Sequence, residues 1–592
     1  MAKRIGTGEI IAQALRQGRR RLARDLGGPF RSLYLKNIRS PGLANLPDMP
    51  DRGDPLQGLK IMDGRFVLGS QALDVGAHGD PWSVPAPSPA YAEKLHGFGW
   101  LHDLTALGRS RAHVRKNPGL KAQTALRAGR LIDRWIDVYG GWNPFAWRED
   151  ILTERLFAWL VNWTALLGHE TEDVAGTRRE TSLLRQLGQL RKSWRQTPEG
   201  ILRLKATACL VIGASCVQKR QNAWLDRAMD MLDDEIERQI LSDGGHISRN
   251  PQDVIATLEI LIAVENALDK GGVTGSREIH RAMDRLGPML SFFQLGPGQM
   301  AAFNGGGTGN ARQIKALLAR TPTKSRGFGY APHSQYQRLS KNGTTLIMDV
   351  GNAPPRPFDQ NAHLGPLSFE MSTAHGPLIV NCGWNANQPR TWRQIVRHTA
   401  AHSTLTLNDQ DAGRIVTGGL RERLFGQVVL EDMENVVCKR LEQDSGTWLE
   451  AFHSGYLQTH GLDHRRRLYM DITGFDLRGE DKLFVPIGHV PLHNRQIPFA
   501  IRFHLHPSVR ASLARDQNSA LLIQPGGHGW RFRTDGGPLK LEKSVWLSQG
   551  VRPQPTEQLV IYGHAWADGD GEARSNRVRW TFKRLGAMDG HA

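Results

Sequence analysis

Apolar residues recur at two different periods along this chain, and the change of period divides it. From about residue 95 to 295 they return every three or four positions. In RLFAWLVNWTALLG, Leu156, Trp159, Leu160, Trp163 and Leu167 share one helical face, and in RLIDRWIDVYG so do Ile132, Trp135, Ile136 and Tyr139. Similar stripes pass through Leu183, Leu187, Leu190 and Trp194 and through Ile279, Met283 and Leu286. The spacing predicts a succession of amphipathic helices.

After FNGGGTGN (303–310) the period falls to two. TTLIMDVG, LSFEMS, PLIVNCG, STLTLND, RRRLYMDI and FAIRFHLHP are short runs rich in β-branched or aromatic residues, separated by Gly, Pro, Asn and Asp. In the last, Phe499, Ile501, Phe503 and Leu505 face one way and Arg502, His504 and His506 the other. Stacked antiparallel sheets are the expected result. The stretch NLPDMPDRGDPLQG…DPWSVPAPSPAYAEKLHGF, ahead of the helical half, is broken by Pro and Gly and reads as extended surface chain, not helix. The reading is therefore multidomain α and β: an N-terminal basic helix with an extended segment (1–94), an all-α domain (95–310) and an all-β domain (325–592).

The length of 592 residues fits this division, since roughly two to four cores are expected of such a chain. Hydrophobic residues at 40% and charged residues at 23% exclude wholesale disorder. A formal charge of +18 adds a field that favours a polyanion, whether nucleic acid, anionic membrane or acidic polysaccharide. The four cysteines show no CxxC, which argues against a disulfide framework or a cysteine zinc site. No continuous apolar core marks the N-terminus as a signal peptide, and no later run is long enough for a membrane span; the first forty residues suit a surface helix or a basic amphipathic helix lying on an anionic membrane. FNGGGTGN lacks the Lys-Ser/Thr of a phosphate loop and reads as a turn between domains, no GxGxxG opens a strand-to-helix unit, and no nucleic-acid module is evident.

Histidines are enriched beside strands and turns of the second half: His363, His398, His402, His453, His460, His464, His504 and His506. Two nitrogens with a carboxylate suit zinc, and His402, Asp409 or Asp411, and His453 supply that combination; the alternative is a hydrogen-bonded histidine network stapling strands. In the helical half, LSDGGHISRNPQDV (241–254) breaks the periodic pattern and presents His246, Ser248, Arg249 and Asn250, where Arg249 can pair with a carboxylate; the alternative is a helix connection with capping residues.

These stretches together resemble the heparinase II/III family of polysaccharide lyases. The resemblance rests on DGGHISRNP, LSFEMSTAHGPLIVNCG, RHTAAHSTLTLND, FHSGY and HRRRLYM, whose order along residues 100–580 matches the family. It implies an N-terminal (α/α) toroid followed by an antiparallel β-sandwich, and cleavage of a uronate-containing glycan by β-elimination in the cleft between them. That chemistry needs a donor on the uronate carboxylate, a base for the C5 proton and an acid for the departing oxygen. By position, the resemblance makes Arg249 or Asn250 the neutraliser, places His246 in the cleft, and makes His402 either catalytic or metal-bound. His453 becomes a candidate zinc ligand beside the His402 and Asp409 named above, Tyr456 or His398 a substitute acid, and His363 and His398 substrate-binding residues.

The chain departs from the family where a tyrosine is usual after the DG motif and where an earlier helix carries Asn-His; it reads NPQDV and CLVIGASC there, and AHNT has become AHST. Asp253 cannot replace a phenol acid of pKa near ~10. A catalytically altered glycan-binding or cell-envelope protein of the same fold is thus the alternative to a lyase. The expected partner is an anionic polysaccharide and not nucleic acid. The resemblance suggests the cell envelope or periplasm, whereas the missing signal suggests the cytoplasm.

Overall fold

A computed structural model describes residues 42–49, 52–167, 174–217, 222–321, 327–431, 436–489, 496–547, 550, 552–566 and 576–586, with isolated positions between 8 and 18. The N-terminal basic helix, and with it the expected membrane contact, lies almost wholly outside the described residues. No helix among the described residues is long and apolar enough to cross a membrane.

The first half is an (α/α) toroid, in which helices of two kinds alternate. Helices Glu149–Leu166, Ile201–Cys216 and Pro251–Lys270 are buried on nearly every side. The helices before, between and after them, Leu120–Tyr139, Val174–Ser193, Asn222–Gln239 and Arg277–Phe292, keep charged residues on an outer face. The RLFAWLVNWTALLG stripe therefore belongs to an inner helix: Phe157, Ala158, Val161 and Asn162 are buried as fully as Leu156 and Trp159. Trp135, Trp159 and Phe98 meet edge to face with centroids 5.5–5.8 Å apart, fixing the angle at which the first hairpin docks.

The expectation of extended chain before residue 95 is corrected in part. Pro55–Met62 and Pro89–His96 are helices, and Arg65–Leu68 pairs with Gln71–Asp74 as a hairpin. In both helices Pro occupies the first turn, where its missing N–H costs nothing, behind a capping Asp54 or Ser88. Proline here starts helices; it does not exclude them.

The second half is a β-sandwich of antiparallel eight- and nine-stranded sheets. The period-two runs form strands Thr344–Asp349, Phe369–Thr373, Gly376–Val380, Leu405–Leu407, Asp463–Asp471 and Gln496–Leu505. Phe499, Ile501, Phe503 and Leu505 face the core as expected, but His504, on the opposite face, is buried as well, with Nε2 on Ala400 O at 3.0 Å. Trp580 packs between Phe369 and Phe503 at 5.8 and 4.8 Å, joining the inner faces of the two sheets.

Arg466 staples the sheets through charge. Its guanidinium, wholly buried, binds Asp481 at 2.8 and 3.0 Å and donates to the carbonyls of Leu367 and Ser403 across the sandwich at 3.0 and 2.7 Å. Asp481 also accepts from Trp580 Nε1 and from His464 Nε2, each at 2.8 Å, and although burial opposes its charge, these partners hold the carboxyl well below its usual range. Removing one partner of a buried pair strands the other, so Asp481→Ala should lower unfolding free energy by about 3–5 kcal/mol in urea denaturation. A loss within the small range typical of surface changes would show that Arg466 finds other acceptors.

Candidate functional site

The segment 241–254 links an outer helix to an inner one and faces the β half. Gly244 at φ 88 and Arg249 at φ 57 take left-handed backbone and fold the loop tightly. Asn250 caps helix Pro251–Lys270 by accepting from Gln252 N at 2.9 Å. Its side-chain oxygen is spent on that cap.

Arg249 is buried and crosses to the β half. It donates to Ser334 O at 2.9 Å, Asn352 O at 2.6 Å and Gln335 O at 3.1 Å, pairs with Asp349, and lies 4.8 Å over the Tyr336 ring. Tyr336 donates back to Arg249 O at 2.6 Å, and Asn304 Nδ2 binds the Tyr336 hydroxyl at 2.8 Å while its Oδ1 accepts from His363 N at 3.1 Å. Asp243 adds three bonds to residues 333–334. The carboxylate pairing expected of Arg249 is thus satisfied within the chain. FNGGGTGN packs here too: a Cβ on Gly306 would fall 2.5 Å from Asn250 Oδ1.

His246 is 1% exposed; its Nε2 donates to Gln239 Oε1 at 3.0 Å and Nδ1 accepts from Ser248 N at 3.1 Å. Burial lowers its pKa, against a weaker opposite pull from Asp253.

RHTAAHSTLTLND turns once, at Thr399–Ala401, before its strand, which sends its two histidines apart. His398 is half exposed and sits 2.6 Å from Asp411, a hydrogen bond that raises its pKa. His402 is buried: Nδ1 donates to His398 O at 2.9 Å, leaving Nε2 to accept from His363 Nδ1 at 3.0 Å. Burial pushes His402 down to about 4 and His363 well below the usual imidazole range. Both are neutral at physiological pH. His363 Nε2, facing no partner among the described residues, is the bare end of the pair.

The three residues named for zinc are not brought together. His453 Nε2 is engaged by His464 Nδ1 at 3.1 Å, His402 by His363, and Asp409 is an exposed turn residue 3.7 Å from Arg502. Among the described residues no group of three His, Cys, Asp or Glu is placed to hold a metal ion. His402, Asp409 and His453 therefore do not fit zinc, and the strand-stapling network is what forms instead. Tyr456 is also corrected as an acid: wholly buried, it donates to Leu405 O at 2.9 Å, and burial raises its pKa further from physiological range.

A cavity of about 470 Å³ opens where the inner helices begin, lined by Trp100, Ile151, Leu202, Glu93, Asp103, Asp150 and Glu154, with Asn387 of the β half bound to Lys94 at 2.7 Å. Burial raises Asp103 to about 6. Arg148 pairs with Glu93 and Asp150, and Lys205 with Glu154. The sequence reading did not bring Glu93, Asp103 and Glu154 together with Asp150. The signal for that lining was Asp150 and Glu154, four apart and so on one face at the start of helix Glu149–Leu166.

The profile of the family described as "Heparinase II/III-like, C-terminal" matches residues 323–581. FtsZ-localized protein C of Caulobacter vibrioides (strain NA1000 / CB15N) is 35% identical over 538 residues, 90% of this chain and 89% of that one. The chain belongs to the heparinase II/III-like family. Solved structures agree on the fold. Heparinase III aligns over 100% of this chain and 94% of its own, with TM-score 0.65 and 13% identity. Heparan sulfate lyase HepC from Pedobacter heparinus covers 98% and 91%, with TM-score 0.58 and 14% identity. This heparinase II/III-like chain thus has the polysaccharide-lyase toroid and sandwich.

The His398–Asp411 pair has a definite pH signature. A raised folded pKa means stability present below the ordinary value of ~6.5 and lost as pH rises through the raised value. In NMR titrations His398 should titrate above ~6.5 and fall back on Asp411→Asn, while His402 stays neutral through the same range. A His398 midpoint indifferent to that substitution would break the pair.

Proposed function

We propose that this protein is a non-cleaving member of the lyase family: a binding scaffold that shares the location of FtsZ. One observation carries the reading. Arg249, His402 and Tyr456, three of the side chains that the family resemblance assigns to elimination, are occupied inside the chain. Arg249 pairs with Asp349 and donates to three carbonyls, the accepting nitrogen of His402 is covered by His363, and the Tyr456 hydroxyl is bound to Leu405, while Asn250 spends its oxygen on a helix cap. An elimination needs these groups aimed at substrate, with pKa values near working pH. The FtsZ-localized relative, alike over nine-tenths of the chain, supports the location.

The second reading is a lyase acting on an acidic glycan of the cell envelope. The toroid-and-sandwich fold and the charge of +18 favour it, and His363 Nε2 would be its base.

One pair of experiments separates the two. A fluorescent fusion imaged beside labelled FtsZ should coincide with it. Purified protein incubated with a panel of uronate polymers should give no rise in the ultraviolet absorbance of unsaturated uronates. A rise abolished by His402→Ala or His363→Ala would replace the scaffold reading with the lyase.

A further inference from the structure

Three outer elements of the toroid enclose a second cavity of about 670 Å³, on its solvent side. One wall is the end of helix Val174–Ser193 and the turn after it, bearing Arg191, Trp194 and Arg195; the other is the start of helix Asn222–Gln239, bearing Trp224 and Arg227; Leu210 of the inner helix lies beneath. Arg195 stacks 4.7 Å over Trp194, and Arg191 5.6 Å over Trp224, linking the two walls. We infer that this groove binds a partner protein through an acidic segment that carries an apolar anchor.

The chemistry of the lining selects that occupant. A guanidinium held over an indole by cation–π attraction keeps its N–H donors available to a carboxylate. Among the described residues none of the guanidiniums of Arg191, Arg195 and Arg227 is in an ion pair, whereas Arg178, Arg179, Arg203 and Arg238 on the neighbouring helical surface all are. Asp230 and Asp234 line the same cavity without closing it by pairing with these arginines. An arginine covers one face of each indole, and Ala223 and Met231, neither of them fully buried, add apolar surface for a side chain. The chain's own basic N-terminal sequence, with RRR at 19–21, carries the same sign as the three arginines and is a poor occupant. The groove is separate from the scaffold reading: it stands or falls on its own ligand.

The test uses the full-length protein and a short fluorescent peptide in which glutamates flank one phenylalanine, followed by anisotropy. Saturable binding is expected, weakened by added salt, and on the order of tenfold weaker in the Arg191→Glu/Arg195→Glu variant. A matching peptide with lysines for glutamates should not bind. Both arginines are exposed, and Arg191→Gln/Arg195→Gln, which removes charge without reversing it, should weaken binding in the same direction; Lys116→Glu, on another helix, should leave it unchanged. Equal binding by the lysine peptide, or equal affinity of both arginine variants and the parent, overturns the inference. So does tighter binding of a single-stranded oligonucleotide lost in the same variants, which would make the groove a nucleic-acid site. Self-association of the parent that these variants abolish would overturn it too, making the occupant a second copy.

Discussion

The two halves of this protein are joined at a buried charge. Arg249 leaves the toroid in a left-handed backbone conformation, and its planar head meets Asp349 and three carbonyls of the β half. A guanidinium with its donors satisfied in a fixed fork sets both distance and orientation, as an apolar contact of similar area does not. Tyr336, Asn304 and His363 are placed around it, and through His363 so is His402. The geometry of the candidate site is therefore a consequence of how the halves are clasped.

That arrangement satisfies the polar groups at the centre of the fold within the chain. A residue that touches substrate in a cleft pays a desolvation cost when the cleft is empty, and intramolecular partners relieve it. Here the partners are present: Gln239 and Ser248 for His246, Gln252 for Asn250, His363 for His402. Other polar groups line the acidic cavity by the inner helix starts, which Asn387 of the β half reaches, and the arginine-lined groove on the outer wall.

Local chemistry made much of the fold legible. Helical spacing marked Leu120–Tyr139 and Glu149–Leu166, and alternation marked Phe369–Thr373 and Gln496–Leu505. Failures came where one local signal has two meanings. Pro55 and Pro89 read as breakers, yet proline in a first helical turn behind Asp54 or Ser88 is a start signal. The inner helices read as one-faced because periodicity registers a stripe but not what covers the opposite side.

By itself the sequence determined the order of a helical and a β half, but not that FNGGGTGN lies inside the toroid, with helix Ala311–Leu318 packing on it afterwards. It also presented Arg249 as a carboxylate partner, since residue type and loop setting are local properties. Only the tertiary structure decided that the carboxylate is Asp349, a hundred residues away in the β half, that His402 meets His363 and His453 meets His464, and that Asp409 meets neither histidine. Pairings of that kind depend on which chain segments the two cores bring within hydrogen-bond reach, and no short window of sequence carries that distance.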